Sequence, residues 1–331
     1  MSEPAAVAVV LVNWNGGSDC EKSLAAIRAQ SLAAAELVVV DNGSRDGSCQ
    51  WFERQPGVLV IRNLRNRGFA VAVNQGIAAC TSELVLLCNL DVVLDPGFVA
   101  AAVARIRSAS DIGSVGGRLR REDGGESRLD STGHRLHRSG WVSNRGYGEL
   151  GGGRYSHPEE VFGVSAAAAL YRRSMLLDVA IHGEIFCEAF FAYLEDVDLD
   201  WRARWRGWRC FYEPAATASH RRGGSGLHRT AMIERHVLAN RILLYCRNAP
   251  AGWLRGRPLL AAMALIGLRA GLALRRHPSS LLGAADALRR MPQALRDRRT
   301  IMATRQVTDR VLEAWAEPTP WRRLLGAHLK G

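Results

Sequence analysis

The sequence predicts an α/β protein built on a mainly parallel sheet. Three observations carry this. Continuous apolar runs at 7–12, 36–40 and 84–88 read as strands buried on both faces. Segments of helical spacing alternate with them, at 18–30 and 69–79. Polar, glycine-bearing loops follow the C-terminal ends of these strands, the edge at which open α/β sheets bind ligands.

Each element can be justified in order. The first strand, 7–12, ends in the tight loop Asn13-Trp14-Asn15-Gly16-Gly17, and the helix at 18–30 turns Leu24 and Ile27 inward. The second strand, 36–40, ends in Asp41-Asn42-Gly43-Ser44. A third buried strand is expected at 58–61, then polar residues to Gly68 and a helix from Phe69. The fourth strand, 84–88, leads through Asn89-Leu90-Asp91 to Asp95-Pro96, which reads as a capping Asp with Pro just inside the next helix. Residues 118–157 are dense in glycine and mixed in charge, and are expected to form a long loop or irregular sheet, a mobile segment over the site. From about Thr230 onward the chain reads mostly as helix.

Length and composition narrow the classes. At 331 residues, 47% apolar and 23% charged, this is an ordinary globular chain of about two domains. Seven scattered cysteines without a CxxC pair argue against a disulfide framework or structural zinc, and favour a reducing cytoplasm. The opening residues have no basic start, so no signal peptide is expected. The net charge of +12 sits almost wholly in residues 247–331, with 16 basic and 5 acidic side chains. Such a segment suits an anionic surface. Residues 258–274 are apolar except Arg269 and are flanked by Arg255, Arg257, Arg275 and Arg276. They are short for a membrane span, and read as an interfacial amphipathic helix. A helical subdomain with a solvated basic face, or an oligomer interface, fits the same letters.

The chemistry concentrates in Glu195-Asp196-Val197-Asp198-Leu199-Asp200, which follows Phe190, Phe191 and Tyr193. Carboxylates beside aromatics suit a general base whose pKa is raised by desolvation. Acids opening a helix also complement its dipole, which explains all but the aromatics. Asn89 and Asp91, two residues apart at a strand end, can face one way and hold a divalent cation, or Asp91 can simply cap a loop. Asp41 suits contact with a nucleotide base or ribose, and equally an Asx-turn. The turn at 63–69, with Arg67 and Gly68 before a helix, suits an anion or a plain surface turn. His220, next to Arg221 and Arg222, could complete a cation's shell or be an ordinary loop histidine.

In order, these segments resemble the family 2 inverting glycosyltransferases, and within them the bacterial rhamnosyltransferase-type enzymes. The likeness runs from about Val7 to Ser225. It covers Asn13-Trp14-Asn15-Gly16, the stretch from Val40 to Ser48, Asn66-Arg67-Gly68-Phe69 with Asn74 and Gly76, and Asn89-Leu90-Asp91 at the D-x-D position. It also covers the stretch from Phe191 to Leu199, Trp201-Arg202, Gly207-Trp208 and His220.

The resemblance implies a GT-A-type fold, with a Rossmann-like sheet and a helical C-terminal extension. It divides the chain into a nucleotide-sugar-binding half (1–117), an acceptor-binding and catalytic half (118–229) and a basic helical region (230–331). It makes Asp196 the general base and assigns Mg²⁺ or Mn²⁺ to Asp91, Asn89 and His220. Asn13, Asn15, Asp41, Asn42, Ser44, Arg67, Gly68 and Asn74 become substrate-binding residues, with Asn89, Glu195, Trp201 and Arg221. Two departures stand out: Asn89 replaces an Asp, and Leu90 the common proline.

The implied reaction is transfer of a sugar, L-rhamnose from dTDP-L-rhamnose first or a hexose from a UDP donor, onto a hydroxyl. The implied acceptor is a lipid-linked glycan or polysaccharide of the cell surface, met at the inner face of the bacterial cytoplasmic membrane. A homo-oligomer is compatible, and nucleic acid is not an expected partner. A sugar-phosphate nucleotidyltransferase should open with a basic glycine-rich loop, which the first loop lacks. An oxidoreductase should show G-x-G-x-x-G there, and it is absent.

Overall fold

The computed structural model describes residues 6–123, 125–221 and 231–320. The first strands alternate with helices as expected. β1 (Val7–Asn13), α1 (Asp19–Arg28), β2 (Glu36–Asp41), α2 (Ser48–Glu53), β3 (Leu59–Arg62), α3 (Phe69–Ala78) and β4 (Leu84–Asn89) follow one another. β3, β2, β1 and β4 are parallel and adjacent in that order. Alternate residues of β1 serve the two faces. Val7, Val9 and Leu11 join one core with Leu24 of α1, while Ala8 and Val10 join another with Val73 of α3.

The second half continues the same sheet. β5 (Val92–Leu94) and α4 (Phe98–Arg107) lead into the long β6 (Ile112–Asp123), then β7 (Glu126–Ser131). β8 (His134–Leu136) and β9 (Val142–Asn144) form a separate hairpin. β10 (Glu159–Glu160), β11 (Ala168–Arg172), α5 (Arg173–Asp178), α6 (Glu195–Trp205) and β12 (Arg209–His220) complete this part. β11 runs antiparallel between β4 and β6, and β12 lies parallel to β6. The sheet is therefore mixed beyond β4. β6 crosses residue 117, so the two expected halves share one sheet.

Two expectations need correction, and a third is narrowed. β3 is not doubly buried: it ends the sheet, and Leu59 is 52% exposed. α4 starts at Phe98 rather than at Pro96, because Asp95 caps nothing with its side chain; that carboxylate takes Arg120 and Thr217 instead. The glycine-rich stretch at 118–157 takes the irregular-sheet alternative rather than the long loop: β6 to β9 run through it, and Asp130, Ser131, Thr132 and His134 are buried.

The C-terminal region is helical: α7 (Ala231–Asn248), α8 (Gly256–Arg276), α9 (Leu282–Thr304) and α10 (Asp309–Glu313). It shares a third core with α6, where Trp201 and Trp205 meet Leu243, Trp253 and Ile301. Buried Asp198 fastens the join. It accepts from Arg202 at 2.9 Å, Arg247 at 2.9 Å and Asn248 at 2.7 Å. Burial opposes its charge, but Arg247 and Arg202 outweigh burial and bring its pKa down to about 2. All seven cysteines are free thiols, and no helix among the described residues is long and apolar enough to cross a membrane.

Candidate active site

The C-terminal ends of β1 and β4 open into a cleft of about 560 Å³. Asn89, Leu90 and Asp91 enter it from β4, His220 from β12, and Phe191, Glu195 and Asp196 from the start of α6. Asn15 and Asn42 line it from the first two loops, and α7 contributes His236 and Arg241. Asp91 and Asp196, 105 positions apart in the chain, thus border one cavity.

The cation-binding candidates are brought together by β5. Its pairing sets His220 opposite Val92, next to Asp91. His220 Nε2 lies 3.4 Å from Asp91 Oδ1, and its Nδ1 lies 2.8 Å from Oδ2 of buried Asp130. Burial opposes charging the imidazole, but Asp130 and Asp91 outweigh it, so its pKa rises to about 9. A carboxylate behind a ligand histidine is the usual way to aim the other nitrogen at a metal. Among the described residues no three His, Cys, Asp or Glu side chains converge into a closed metal cage. One carboxylate, one imidazole and the Asn89 amide therefore fit a cation whose remaining ligands are phosphate oxygens and water, the usual habit of Mg²⁺.

Asp196 is aimed by a strained approach. Phe191, Tyr193 and Leu194 all have positive φ, 62°, 72° and 68°. Non-glycine residues hold such angles only where surroundings compel them. Asn240 of α7 supplies the compulsion, its amide donating to the carbonyls of Phe190, Ala192 and Tyr193 at 2.8–2.9 Å. Gly68, with φ 94°, packs here too: a Cβ would lie 2.6 Å from the Phe191 carbonyl oxygen. Asp196 then accepts from the Ala166 amide at 3.2 Å and from its own helix at Val197, 2.8 Å.

Sequence reasoning missed the buried groups that surround Asp196. His134, 4% exposed, sits at the start of β8 inside the stretch expected to be loop or irregular sheet. Its Nδ1 is 2.7 Å from Asp200 Oδ2 and its Nε2 is 3.8 Å from Asp196 Oδ2. Burial opposes protonation of His134, but the Asp200 bond outweighs it, so its pKa is raised. Burial pushes Asp200 up to about 6 despite that bond. Asp200 fits only because residue 163 is glycine: a Cβ there would collide with the carboxylate. The available signal was the unbroken polar run Asp130-Ser131-Thr132 leading to His134, which the neighbouring glycines obscured. Glu195, also in the cleft, has an unpartnered buried Oε2; burial and then Asp196 raise its pKa to about 8.

Other expected substrate contacts are held mostly by bonds within the loops around the cleft. Asn13 is fully buried and donates to Asp41 at 2.7 Å and Ser48 at 2.8 Å. Asp41 faces inward, its second oxygen taken by the Gly43 and Ser44 amides; it forms the Asx-turn rather than a free base contact. Ser44 accepts from the Asn15 amide at 2.9 Å and frames the same loop. Asn42 lines the cleft while bracing Asn63, Asn66 and Gly68. Asn74 is a clamp, exchanging two 2.8 Å bonds with Phe186. Gly68 meets Phe191 rather than open cleft, and the Arg67 side chain is exposed away from the lining.

Trp201 is core, fully buried and edge-on to Phe162 and Trp253, because it falls on the inner face of α6. Arg221 is at the rim, ion-paired with cleft residue Asp19. Arg222 lies outside the described residues.

Residues 8–179 match the family model for glycosyl transferase family 2. The N-acetylglucosaminyl-diphospho-decaprenol L-rhamnosyltransferase of Mycobacterium tuberculosis is 28% identical over 291 residues, covering 81% of this chain and 91% of that protein. The crystal structure of GalNAc-T7 with UDP, GalNAc and Mn²⁺ superposes with a TM-score of 0.56 at 15% identity, over 75% of this chain and 51% of that one. The mannosyltransferase PcManGT from Pyrobaculum calidifontis, in complex with GDP-Man and Mn²⁺, gives 0.54 at 15% identity over 92% and 86%. With the fold, the cleft and the matched span in agreement, the chain belongs to glycosyl transferase family 2 and is a glycosyltransferase of the GT-A fold.

Proposed function

We propose that this glycosyltransferase moves L-rhamnose, with inversion, from dTDP-L-rhamnose to a hydroxyl of a lipid-diphosphate-linked glycan in cell-surface polysaccharide synthesis. The observation that carries this reading is that Asp91, a candidate cation ligand, and Asp196, a candidate base, line one cleft of about 560 Å³. The M. tuberculosis relative, an L-rhamnosyltransferase named for a diphospho-decaprenol substrate, supports the donor and the lipid-linked acceptor.

The mechanism follows from the side chains. Asp91, Asn89 and His220 would hold Mg²⁺ or Mn²⁺, which neutralises charge growing on the departing diphosphate. Asp130 fixes the His220 ring. Asp196 takes the proton of the attacking acceptor hydroxyl, and in-line attack opposite the leaving group inverts the anomeric carbon. The Ala166 amide and His134 both face Asp196 Oδ2 and orient the carboxylate. The wall of Phe191 and Leu194 excludes water that would otherwise compete as acceptor.

The C-terminal region supports a membrane-facing reading. On α8 the single charge of the apolar stretch, Arg269, turns inward onto the Trp141 ring at 4.4 Å. Leu260, Met263 and Leu274 are left exposed, with Arg255, Arg257 and Arg275 at the ends. An apolar stripe flanked by cations suits the surface of anionic lipid. The deciding experiment supplies dTDP-L-rhamnose and UDP-hexoses with a prenyl-diphospho-N-acetylglucosamine acceptor and Mn²⁺, and reads products by mass and anomeric NMR. Rhamnosyl transfer with inverted configuration is expected. Retention, or transfer from UDP-hexoses alone, overturns the reading.

A further inference from the structure

Arg241 stands out among the cleft residues that the reaction leaves unused. It lies on α7, lines the cleft, and stacks its guanidinium 3.6 Å from the Trp141 ring centroid. Arg269 of α8 stacks on the same ring at 4.4 Å. Two cations thus share one indole. Among the described residues no carboxylate forms an ion pair with Arg241; Glu234 is the one acid close enough to favour its charge. Its Nε is buried without a hydrogen-bond partner. Burial and the like charge of Arg269 pull its pKa down to about 9. One helical turn earlier, His236 also lines the cleft, stacked 4.8 Å from Phe191, with its Nδ1 unpartnered. A protein that leaves a partly buried guanidinium on an indole with no carboxylate to match it has kept a position for an anion.

The place of the cluster says which anion. Trp141 packs on Leu265 of α8, the helix whose outer face exposes Leu260 and Met263. Arg241 therefore lines the same cleft as Asp196 and touches the indole that packs against α8. The cation end of the cleft is built instead from β4, β5 and β12. An acceptor whose sugar reaches Asp196 and whose hydrocarbon lies along α8 must pass its linking group across Arg241. We infer that Arg241, with Arg269 on the same indole and His236 beside it, forms a subsite for the diphosphate that joins the acceptor sugar to its lipid. This rests on the lipid-linked acceptor proposed above. It separates two diphosphates in one cleft: the donor's, at Asp91 and His220, and the acceptor's, at Arg241.

The test uses the full chain in EDTA, so that the cation end is silent, with farnesyl diphosphate as probe and farnesyl monophosphate for comparison. Wild type should bind the diphosphate more tightly than the monophosphate. Arg241→Met should weaken the diphosphate by about ten- to a hundredfold, the usual worth of a charged hydrogen-bond pair. Binding of dTDP with Mn²⁺ should be unchanged. Because the lost charge had no carboxylate partner, the Tm of Arg241→Met should equal or exceed that of wild type, and Arg241→Lys should recover part of the affinity. The subsite is overturned if wild type ignores farnesyl diphosphate or if Arg241→Met binds it normally. It is equally overturned if the variant loses dTDP in step with a lower Tm, the mark of a structural role. Rhamnosyl transfer by wild type with an unaffected variant leaves the proposed function standing without the subsite. Arg241-dependent binding with no rhamnosyl transfer does the reverse.

Discussion

His134 bridges two carboxylates of α6, bonding Asp200 at 2.7 Å and facing Asp196 at 3.8 Å. Residues 196 and 200 are one turn apart, so a single imidazole can address both. The buried member holds the ring, and the ring holds the member that faces the cleft. His134→Gln should lower kcat by about tenfold or more, the scale of a misplaced proton acceptor, with the donor KM unchanged. A normal kcat leaves His134 with a packing role only.

Asp196→Asn keeps size and hydrogen bonding but cannot accept the proton. Transfer should fall by about two to four decades, the typical contribution of a general base, while donor binding stays near normal. Single-turnover kinetics with calorimetric donor binding checks both halves. Normal turnover removes Asp196 from the mechanism.

Chelation should abolish transfer, and Mn²⁺ or Mg²⁺ should restore it. Asp91→Asn should weaken Mn²⁺ binding in the presence of dTDP, measured by electron paramagnetic resonance. Asp130→Asn, which touches no substrate, should cost about 10–100-fold in metal affinity because it frees the His220 ring. Activity that survives chelation sinks the cation assignment.

Glu195 gives a stability signature. Its pKa rises from 4.5 to about 8 on burial beside Asp196. Between these values the folded state keeps a proton that the unfolded state has released. Wild-type stability should therefore decline as pH rises through that window, by up to about 1 kcal/mol per unit from this group. Glu195→Gln carries no such linkage, so its advantage over wild type in urea melts should grow from pH 5 to pH 8. A constant difference across that range means the carboxyl does not hold its proton.

Vesicle flotation tests the outer face of α8. Binding to vesicles rich in anionic lipid is expected, and Leu260→Asp with Met263→Asp should abolish it without changing the Tm, since both side chains are exposed. Equal flotation of the double variant would assign the face to something other than lipid.

The first half of the fold was legible because its information is local. Val7–Asn13, Glu36–Asp41 and Leu84–Asn89 are apolar along their length, and only a doubly covered strand tolerates that. Asp91, Asp196 and His220 could be named because their order along the chain resembles that of a known family, although each has a plain structural reading on its own. Burial of Asn13, Asp41 and Trp201 could not be read the same way. Asn13 and Asp41 satisfy each other across 28 positions, and Trp201 depends on Trp253 in another region. His134 was hidden for the same reason, because its meaning comes from Asp196 and Asp200, over sixty residues away. Sequence alone settled which groups have the chemistry to act. Tertiary contact decided which of them face the cleft, since a polar side chain shows its partners, or the lack of them, only once the chain has closed around it.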